Sequence, residues 1–414
     1  MSTKYILTNY DDKLISAKYI NEECSMLNVC DNEHFIGDIF IGRVENVVKN
    51  INACFIQFNE DCKGYYALSE NDKHIFLNNK NNKLPNIGDK ILVQVKNPPH
   101  KTKPHTLTSK IEIPGNFLVL SRDVSNVLVS KKIQSNENAK KLGTMLFSNL
   151  EDLNNDIKHE LSSAFTNTNT DLSFGFILRS NAKDASFSQI IEEATKLKDI
   201  YKDLLRKAIY GLFYTKVYES APSYISDINH LMYENDFEVI TDSEKIYNLI
   251  AKETNIDNNK LRLYKDDLLP LYSLYSIKSN ITNALKKNVW LKSGAYLVIE
   301  ETEALTVIDV NSGKFISKKG KDKDLSNYRV NIEAAKEALL QLRLRNISGI
   351  IIIDFINMKS EELNLNLLKE LRGLAKCDEL PTKIVDMTKL GLVEITRTKK
   401  GQTLKERMGL NKNE

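Results

Sequence analysis

Two aspartates at the ends of predicted strands are the residues of this sequence whose type and spacing best suit chemistry. Asp309 and Asn311 stand two apart in Leu-Thr-Val-Ile-Asp-Val-Asn, so on a strand their side chains share one face. Asp354 ends the segment Gly-Ile-Ile-Ile-Ile-Asp, in which four consecutive isoleucines predict a strand buried on both faces. An acid there lies at the carboxyl edge of a sheet, where open α/β sheets place their sites.

The chain between Asp309 and Asp354 has room for one helix, predicted over Arg329–Arg345, that could cross between neighbouring strands. Two strand-end carboxylates with an adjacent Asn form a hard-oxygen site that suits Mg²⁺ or Mn²⁺. A metal ion held there could polarise a phosphate and activate water. The residues alone leave a second interpretation open, in which each aspartate only caps a turn or a helix.

The predicted crossover helix also carries a basic stripe. Arg329, Lys336 and Arg343 recur every seven residues and define a face that could contact phosphates. Its apolar stripe consists of Ile332, Ala335, Leu339 and Leu342. A charged stripe of this kind is also typical of a solvated outer surface, so the pattern alone does not assign it a partner.

The elements upstream fall into a β-rich part and a mixed part. Short strands within residues 36–121 predict a small barrel, of which the OB type is one form, at Ile39–Val44, Ala53–Phe58, Gly64–Leu68, Lys90–Val95 and Leu107–Ile113. The mixed part predicts helices at Asn136–Phe147 and Phe187–Tyr214, and strands at Phe174–Arg179, His230–Tyr233 and Phe237–Thr241.

Phe55 and Tyr65 are candidates for an aromatic pair on the outside of that barrel. If Ile56 and Phe58 fill the interior, Phe55 points outward, and Tyr65 on the next strand could lie beside it. Exposed aromatic rings on a barrel can stack with unpaired bases. Nearby cations that could contact phosphates are Arg43, Lys49, Lys63, Lys101 and Lys103. The alternative, in which one ring is core and the other packs under a loop, stays open.

Length and composition set broad limits. A chain of 414 residues predicts two to four domains, and a net charge of +3 does not by itself argue for nucleic acid. No apolar run approaches the roughly 20 residues that span a bilayer, and the first residues lack a signal-peptide core, so we expect a cytoplasmic protein without a membrane span. The cysteines form no CxxC pair, so we expect reduced thiols and no zinc site.

Several segments together resemble the ribonuclease E/G family. The resemblance covers about residues 4–400 and rests on specific motifs, which are Gly37–Val47, Val289–Glu300, Glu303–Lys314, Gln341–Asn346, Gly349–Ile356 and Met387–Arg397. It implies an α+β multidomain fold. The implied parts are a split RNase H-like subdomain from 1–35 and 220–280, an S1-type OB barrel for RNA binding at 36–121, a 5′-sensor region with a long helix at 122–219, a DNase I-like catalytic subdomain at 281–400 and a tail at 401–414.

The resemblance also implies an activity. It implies a metal-dependent endoribonuclease that hydrolyses single-stranded, AU-rich RNA in RNA processing and decay, including ribosomal RNA, and that prefers 5′-monophosphorylated ends. Asp309 and Asp354 match the family's metal-binding aspartates, and Asn311 matches the asparagine beside them. The barrel positions that hold RNA near the scissile bond match Phe55, Tyr65 and Lys103.

A further match concerns the 5′ end of the RNA. Arg179-Ser180 resembles the pair that reads a 5′-monophosphate, where the family usually has Arg-Thr, and serine keeps the hydroxyl. The segment after this pair lacks the glycine that the family usually has. Asn357 stands where the family usually has a second aspartate. Lys399–Glu414 contains no cysteine of the family's CPxC-type zinc-link, so we expect no zinc, and the oligomeric state stays open.

Two functions from different classes follow. The leading hypothesis is an endoribonuclease that uses Mg²⁺, or Mn²⁺, at Asp309 and Asp354, with single-stranded RNA as its partner. The alternative is an RNA-binding member of the same family with weak or no catalysis. The intact aspartate pair favours the enzyme. An unrelated metal phosphatase would require the barrel and the sensor motif to be coincidences.

Overall fold

The computed structural model describes residues 2–30, 35–78, 84–99, 103–165, 170–232, 236–254, 256–266, 268–313, 322–399 and 401–410. The chain divides into two compact units. Met1–Asp31 and Glu234–Glu414 form the first unit, and Asn32–Tyr233 forms the second. The second unit is therefore an insertion in the chain of the first.

The strands of the described residues run in chain order as follows: β1 Thr3–Tyr10, β2 Lys13–Ile20, β3 Glu23–Val29, β4 Ile39–Val48, β5 Ala53–Gln57, β6 Lys63–Ala67, β7 Lys90–Asn97, β8 His105–Thr108, β9 Glu112–Pro114, β10 Leu118–Ser121, β11 Val127–Val129, β12 Gly175–Leu178, β13 Lys216–Tyr218, β14 Phe237–Thr241, β15 Leu261–Leu263, β16 Asn288–Trp290, β17 Tyr296–Glu301, β18 Thr306–Asn311, β19 Gly349–Asp354, β20 Thr382–Met387 and β21 Leu392–Arg397.

The α-helices of the described residues are α1 Glu137–Phe165, α2 Phe187–Tyr210, α3 Ser223–Leu231, α4 Glu244–Glu253, α5 Leu271–Leu274, α6 Ile277–Leu285, α7 Asp322–Leu344, α8 Glu361–Ala375 and α9 Leu404–Arg407. Short 3-10 helices lie at Lys49–Ile51, Lys131–Ile133, Ser180–Asp184 and Asn258–Lys260. Among the described residues, no helix combines the length and the apolar character needed to cross a membrane.

One sheet of the first unit joins strands from both sides of the insertion. Its strand order is β15-β14-β1-β2-β3, and β1 runs parallel to β14 with Thr3 opposite Phe237. Ile6 and Ile240 are fully buried in its core, against which α6 packs through Ile277 and Ile281. The predicted strand His230–Tyr233 is wrong. Residues 223–231 form α3 instead, because buried side chains at Ile225, Ile228 and Leu231 recur at helical spacing.

The first half of the second unit is a closed barrel. The sheet order is β13-β4-β5-β6-β8-β7, and β7 also pairs with β4. The five strands β4–β8 therefore close into a barrel, which agrees with the OB-type barrel expected. Fully buried side chains such as Ile56, Phe58 and Tyr66 fill the interior. The predicted last strand, Leu107–Ile113, is divided in the structure: β8 completes the barrel, and β9 belongs to the next sheet.

That next sheet has the order β11-β12-β10-β9 and packs with α1 and α2 around a core that contains Phe174, Phe176 and Tyr201. Helix α1 is longer than the predicted Asn136–Phe147. Helix α2 begins at a capping box in which Ser186 and Gln189 exchange hydrogen bonds.

The remaining sheet of the first unit has the order β16-β17-β18-β19-β21-β20 and is covered on one face by α7 and α8. Ile351 and Ile353 are fully buried beneath these helices, whereas Ile350 is 51% exposed. The prediction that this strand is buried on both faces is therefore wrong. Within the described residues of this unit, only one face of the sheet carries a helical layer, so alternate isoleucines remain accessible.

Candidate functional site

The pairing of β18 with β19 places the two predicted aspartates side by side. The strands are parallel, and Asp309 is the register partner of Asp354. Adjacent strands lie about 4.8 Å apart, so the two carboxylates project next to each other from the same face. Both side chains are exposed. The strands can be parallel because α7 lies in the connection between them, as the sequence predicts.

The alternation of side chains along β18 decides which face carries the pair. Ile308 and Val310 are buried under α7 and α8, so Asp309, which lies between them, projects from the opposite and open face. Two like charges side by side repel, and a divalent cation between them would relieve that repulsion. The open face also leaves room for an extended polymer.

Asn311 lies on the same face and contacts the first aspartate directly. Its Nδ2 donates a hydrogen bond of 2.6 Å to Oδ2 of Asp309. The amide therefore holds one carboxylate oxygen, which orients the other for a ligand. This is the relation between the two side chains that their spacing predicts.

The chain that follows Asp354 is held by a residue that sequence reasoning missed. Asn331 of α7 is fully buried, and its side chain forms two hydrogen bonds with the backbone of Ile356. Its Nδ2 donates to the carbonyl oxygen at 2.8 Å, and its Oδ1 accepts from the amide at 3.0 Å. A buried Asn that satisfies both backbone groups fixes the end of β19, and thus the position of Asp354.

Two other polar residues on the same side of α7 extend this attachment. Asn327 donates to the carbonyl oxygen of Asn357 at 3.1 Å, and Asp324 accepts from the amides of Lys359 and Ser360. Positions 324, 327 and 331 lie on one side of α7. Polar residues that interrupt an otherwise buried stripe are the sequence signal that could have identified these contacts. Asn357 itself is exposed, and its backbone rather than its side chain makes this contact.

The donor set fits magnesium better than a structural metal. Within the part of the chain that the structure describes, no group of three or more His, Cys, Asp or Glu side chains is placed to hold a metal ion. Mg²⁺ is commonly bound through only one or two carboxylates, with water and substrate phosphate completing its octahedral shell. The pair of carboxylates on an open face provides such a partial set.

The predicted basic stripe of α7 lies away from the aspartates. Arg329 and Lys336 are exposed and Arg343 is half-buried, on the helix that covers the opposite face of the sheet. The structure therefore does not bring Lys336 and Arg343 together with Asp309 and Asp354. If they contact RNA, they do so at a separate surface.

The barrel surface has the aromatic pair that its sequence predicts. Phe55 and Tyr65 are register partners on β5 and β6, and their ring centroids lie 6.1 Å apart at 70°. Both are half-buried, while Ile56 and Phe58 fill the interior. Arg43 is exposed on β4 opposite Gln57, which follows Phe55 by two residues on β5. Lys103 is exposed just before β8. Lys101 and Lys314 lie outside the described residues.

Arg179 and Ser180 lie at the end of β12, where the chain enters a 3-10 helix. The Nη1 of Arg179 donates to the carbonyl oxygen of Gly115 at 2.5 Å, and its Nη2 lies 3.4 Å from Nε2 of His230. Both Arg179 and Ser180 are half-buried. The guanidinium is thus positioned by backbone, while Ser180 lies next to it in the chain.

Glu193 of α2 organises the turn that contacts Arg179. The amino-acid sequence around Glu193 did not indicate this role. Its carboxylate accepts hydrogen bonds from the backbone amides of Asn116, Phe117 and Leu118. Burial raises the pKa of Glu193, although these amides and the charge of Arg179 act in the opposite direction. A Cβ at Gly115 would lie 2.8 Å from this carboxylate, so a larger residue there would displace the side chain that holds the turn.

Comparisons with known proteins show sequence similarity over most of the chain. A model described as the Ribonuclease E/G family matches residues 112–400. Ribonuclease G of Haemophilus influenzae is 29% identical over 383 residues, which are 89% of this chain and 73% of that protein. Ribonuclease E of a Nostoc species is 29% identical over 95% of this chain and 56% of that protein. A ribonuclease E/G-like protein of Porphyra purpurea is 30% identical over 91% of this chain and 72% of that protein.

Proposed function

The chain belongs to the ribonuclease E/G family, and we propose that it is an endoribonuclease that hydrolyses single-stranded RNA with a divalent metal ion held by Asp309 and Asp354. The observation that carries this proposal is the register of β18 and β19. It places two exposed carboxylates next to each other at the carboxyl ends of parallel strands. Family membership supports RNA as the substrate at this pair.

The proposed mechanism assigns the chain's own residues to binding and orientation. Asp309 and Asp354 would hold Mg²⁺ or Mn²⁺, which when bound supplies positive charge to a phosphate and a more acidic water. Asn311 orients the carboxylate of Asp309 through its 2.6 Å hydrogen bond. Asn331 fixes the chain after Asp354, so that both carboxylates keep their spacing while the substrate binds.

Other parts of the chain would select the RNA. We assign the barrel to an S1-type RNA-binding domain, in which Phe55 and Tyr65 stack with unpaired bases while Arg43 and Lys103 contact phosphates. Arg179 and Ser180 would bind a 5′-monophosphate, since a guanidinium and a hydroxyl are suitable donors to that group. Lys336 and Arg343 would contact RNA outside the cleavage site. We also propose that the enzyme prefers AU-rich sequences in the single-stranded RNA that it cuts.

The proposal extends to the domains. The sheet that joins β1–β3 to β14 and β15 supports a split RNase H-like subdomain from residues 1–35 and 220–280. The sheet with α7 and α8 on one face supports a DNase I-like catalytic subdomain at 281–400. The barrel and the sheet beside α1 and α2 support the inserted domains at 36–121 and 122–219.

Cleavage of a defined oligonucleotide tests the function. The purified protein is incubated with a 5′-monophosphorylated, AU-rich single-stranded RNA, with Mg²⁺ or with EDTA, alongside Asp309→Asn and Asp354→Asn. Asp386→Asn is the matched control, since Asp386 is an exposed aspartate of the same sheet. We expect cleavage only with metal, retained by the control and lost in both site variants. A wild-type protein that binds this RNA but never cuts it would favour an RNA-binding family member without catalysis.

A further inference from the structure

Trp290, which is exposed, and Tyr296, which is half-buried, form an aromatic pair next to the aspartates. Their ring centroids lie 4.9 Å apart with planes inclined at 43°, and Trp290 is 61% exposed. We propose that this pair is a second stacking platform, which receives an unpaired RNA base close to the phosphate that is cut. The inference rests on the proposed function, because it takes single-stranded RNA as the ligand and adds a subsite to the same face.

The strand register places the pair beside the carboxylates. Trp290 on β16 is the partner of Tyr296 on β17, and Tyr296 is the partner of Asn311 on β18. Asp309 pairs with Val298, two residues further along β17, so all of these side chains project from the open face. With strands about 4.8 Å apart, the tryptophan lies roughly 12 Å from Asp309 along the sheet surface. That separation is on the scale of a nucleotide or two.

The turn after Asn311 lies directly against the ring of Tyr296. Gly313 has φ +52°, and a Cβ at this position would lie 3.1 Å from Cδ1 of Tyr296 and 2.6 Å from the carbonyl oxygen of Gly294. The turn between β16 and β17 is closed by a hydrogen bond of 2.8 Å from the amide of Leu291 to the carbonyl oxygen of Ala295. The backbone that carries both rings is therefore fixed before a ligand arrives, which reduces the entropy cost of binding.

The chemistry of the surroundings favours a base over an apolar partner. The same face carries Asp309, Asn311 and Asp354, so a hydrophobic protein surface would have to cover two charges. An unpaired base presents an aromatic face to the rings, while its phosphate extends toward the metal site. Stacking of this kind accepts any base, and it excludes duplex RNA, in which the bases already stack on each other.

Fluorescence provides a direct test, because Trp290 is the only tryptophan of the chain. The Asp309→Asn, Asp354→Asn double variant is titrated with a short AU-rich single-stranded RNA, and binding is followed in parallel by anisotropy of a labelled end. We expect saturable quenching of tryptophan fluorescence with the single strand and little with the same strand annealed to its complement. Saturable binding of the single strand without any change in tryptophan fluorescence would overturn the inference.

Substitutions on the wild-type background separate this subsite from the catalytic proposal. Trp290→Ala should weaken binding by roughly 5- to 150-fold, whereas Trp290→Phe keeps most of the affinity. The matched control is Leu365→Ala, an exposed apolar residue of α8 on the covered side of the sheet, which should change nothing. Replacing the stacked base by an abasic nucleotide should abolish the difference between wild type and Trp290→Ala.

The possible results are distinguishable. Quenching by RNA in a wild-type protein that never cuts would retain the stacking subsite and refute the catalytic proposal. Cutting by wild type, with affinity and rate unchanged in both Trp290→Ala and Tyr296→Ala, would retain the catalytic proposal and refute the subsite. A wild-type protein that neither binds nor cuts single-stranded RNA would refute both.

Discussion

Replacing Asn331 by leucine tests how the position of Asp354 is maintained. The substitution nearly preserves shape but removes both hydrogen bonds to Ile356, at 2.8 and 3.0 Å, from a side chain with no solvent exposure. Each such bond contributes about 0.5–1.5 kcal/mol, and a buried backbone group left unpaired costs about 1–3 kcal/mol. Because Ile356 is only half-buried, we expect the free energy of unfolding to fall by about 2–4 kcal/mol.

The same variant should lose activity beyond its loss of stability. If the end of β19 relaxes, Asp354 shifts relative to Asp309, and we expect kcat to fall by about 10- to 100-fold with KM little changed. Urea unfolding and steady-state cleavage, both at a temperature where the variant is folded, measure the two effects. Asn366→Leu is the control, since Asn366 is an exposed residue of α8 and its replacement should stay within about 0.5 kcal/mol. An Asn331→Leu protein as stable and as active as the control would refute the reasoning.

Two other predictions concern acid stability and the 5′ end. Burial raises the pKa of Asp378, but its ion pair with Arg397 and its other hydrogen bonds outweigh this, so the net pKa is below 3.8. The ionised carboxylate therefore stabilises the fold above pH 3.8 and loses this effect as the pH falls through its lower folded pKa. Asp378→Asn should lower the free energy of unfolding by about 3–5 kcal/mol at neutral pH. In urea titrations this difference from wild type should shrink below pH 3.8. A difference that stays constant with pH would contradict this role of the ion pair. Arg179→Ala should abolish any preference for 5′-monophosphate over 5′-hydroxyl RNA in paired cleavage assays, and Lys183→Ala should not; an unchanged preference would remove Arg179 from the sensor.

The parts of the site that sequence predicts are those with a short-range pattern. Alternation along Thr306–Asn311 places Asp309 and Asn311 on one face, and the structure agrees. The pairing of Phe55 with Tyr65 follows in the same way from alternation in neighbouring strands. Hydrophobic periodicity also predicts α7, whose Ala335, Leu339 and Leu342 are buried as expected.

The parts that sequence does not predict depend on what covers each face. A run of four isoleucines predicts burial on both sides, but Ile350 is exposed because α7 and α8 pack on only one side of the sheet. The roles of Asn331 and Glu193 depend on tertiary contacts with backbone groups distant in sequence, at Ile356 and at Asn116. A polar residue that interrupts the buried stripe of a helix can be recognised in the sequence, but the sequence does not show which distant backbone group it contacts. The partners of Asn331 and Glu193 therefore emerge only from the structure.

The dependence of cleavage on metal concentration tests the central claim most directly. The single-turnover rate of cutting the AU-rich oligonucleotide is measured across a range of Mg²⁺ concentrations for wild type, Asp309→Asn and Asp354→Asn. If the two carboxylates hold the ion, wild type saturates with Mg²⁺, and each variant either requires a much higher concentration or does not cut at all. Variants with the same rate and the same Mg²⁺ dependence as wild type would contradict the assignment of the metal to Asp309 and Asp354.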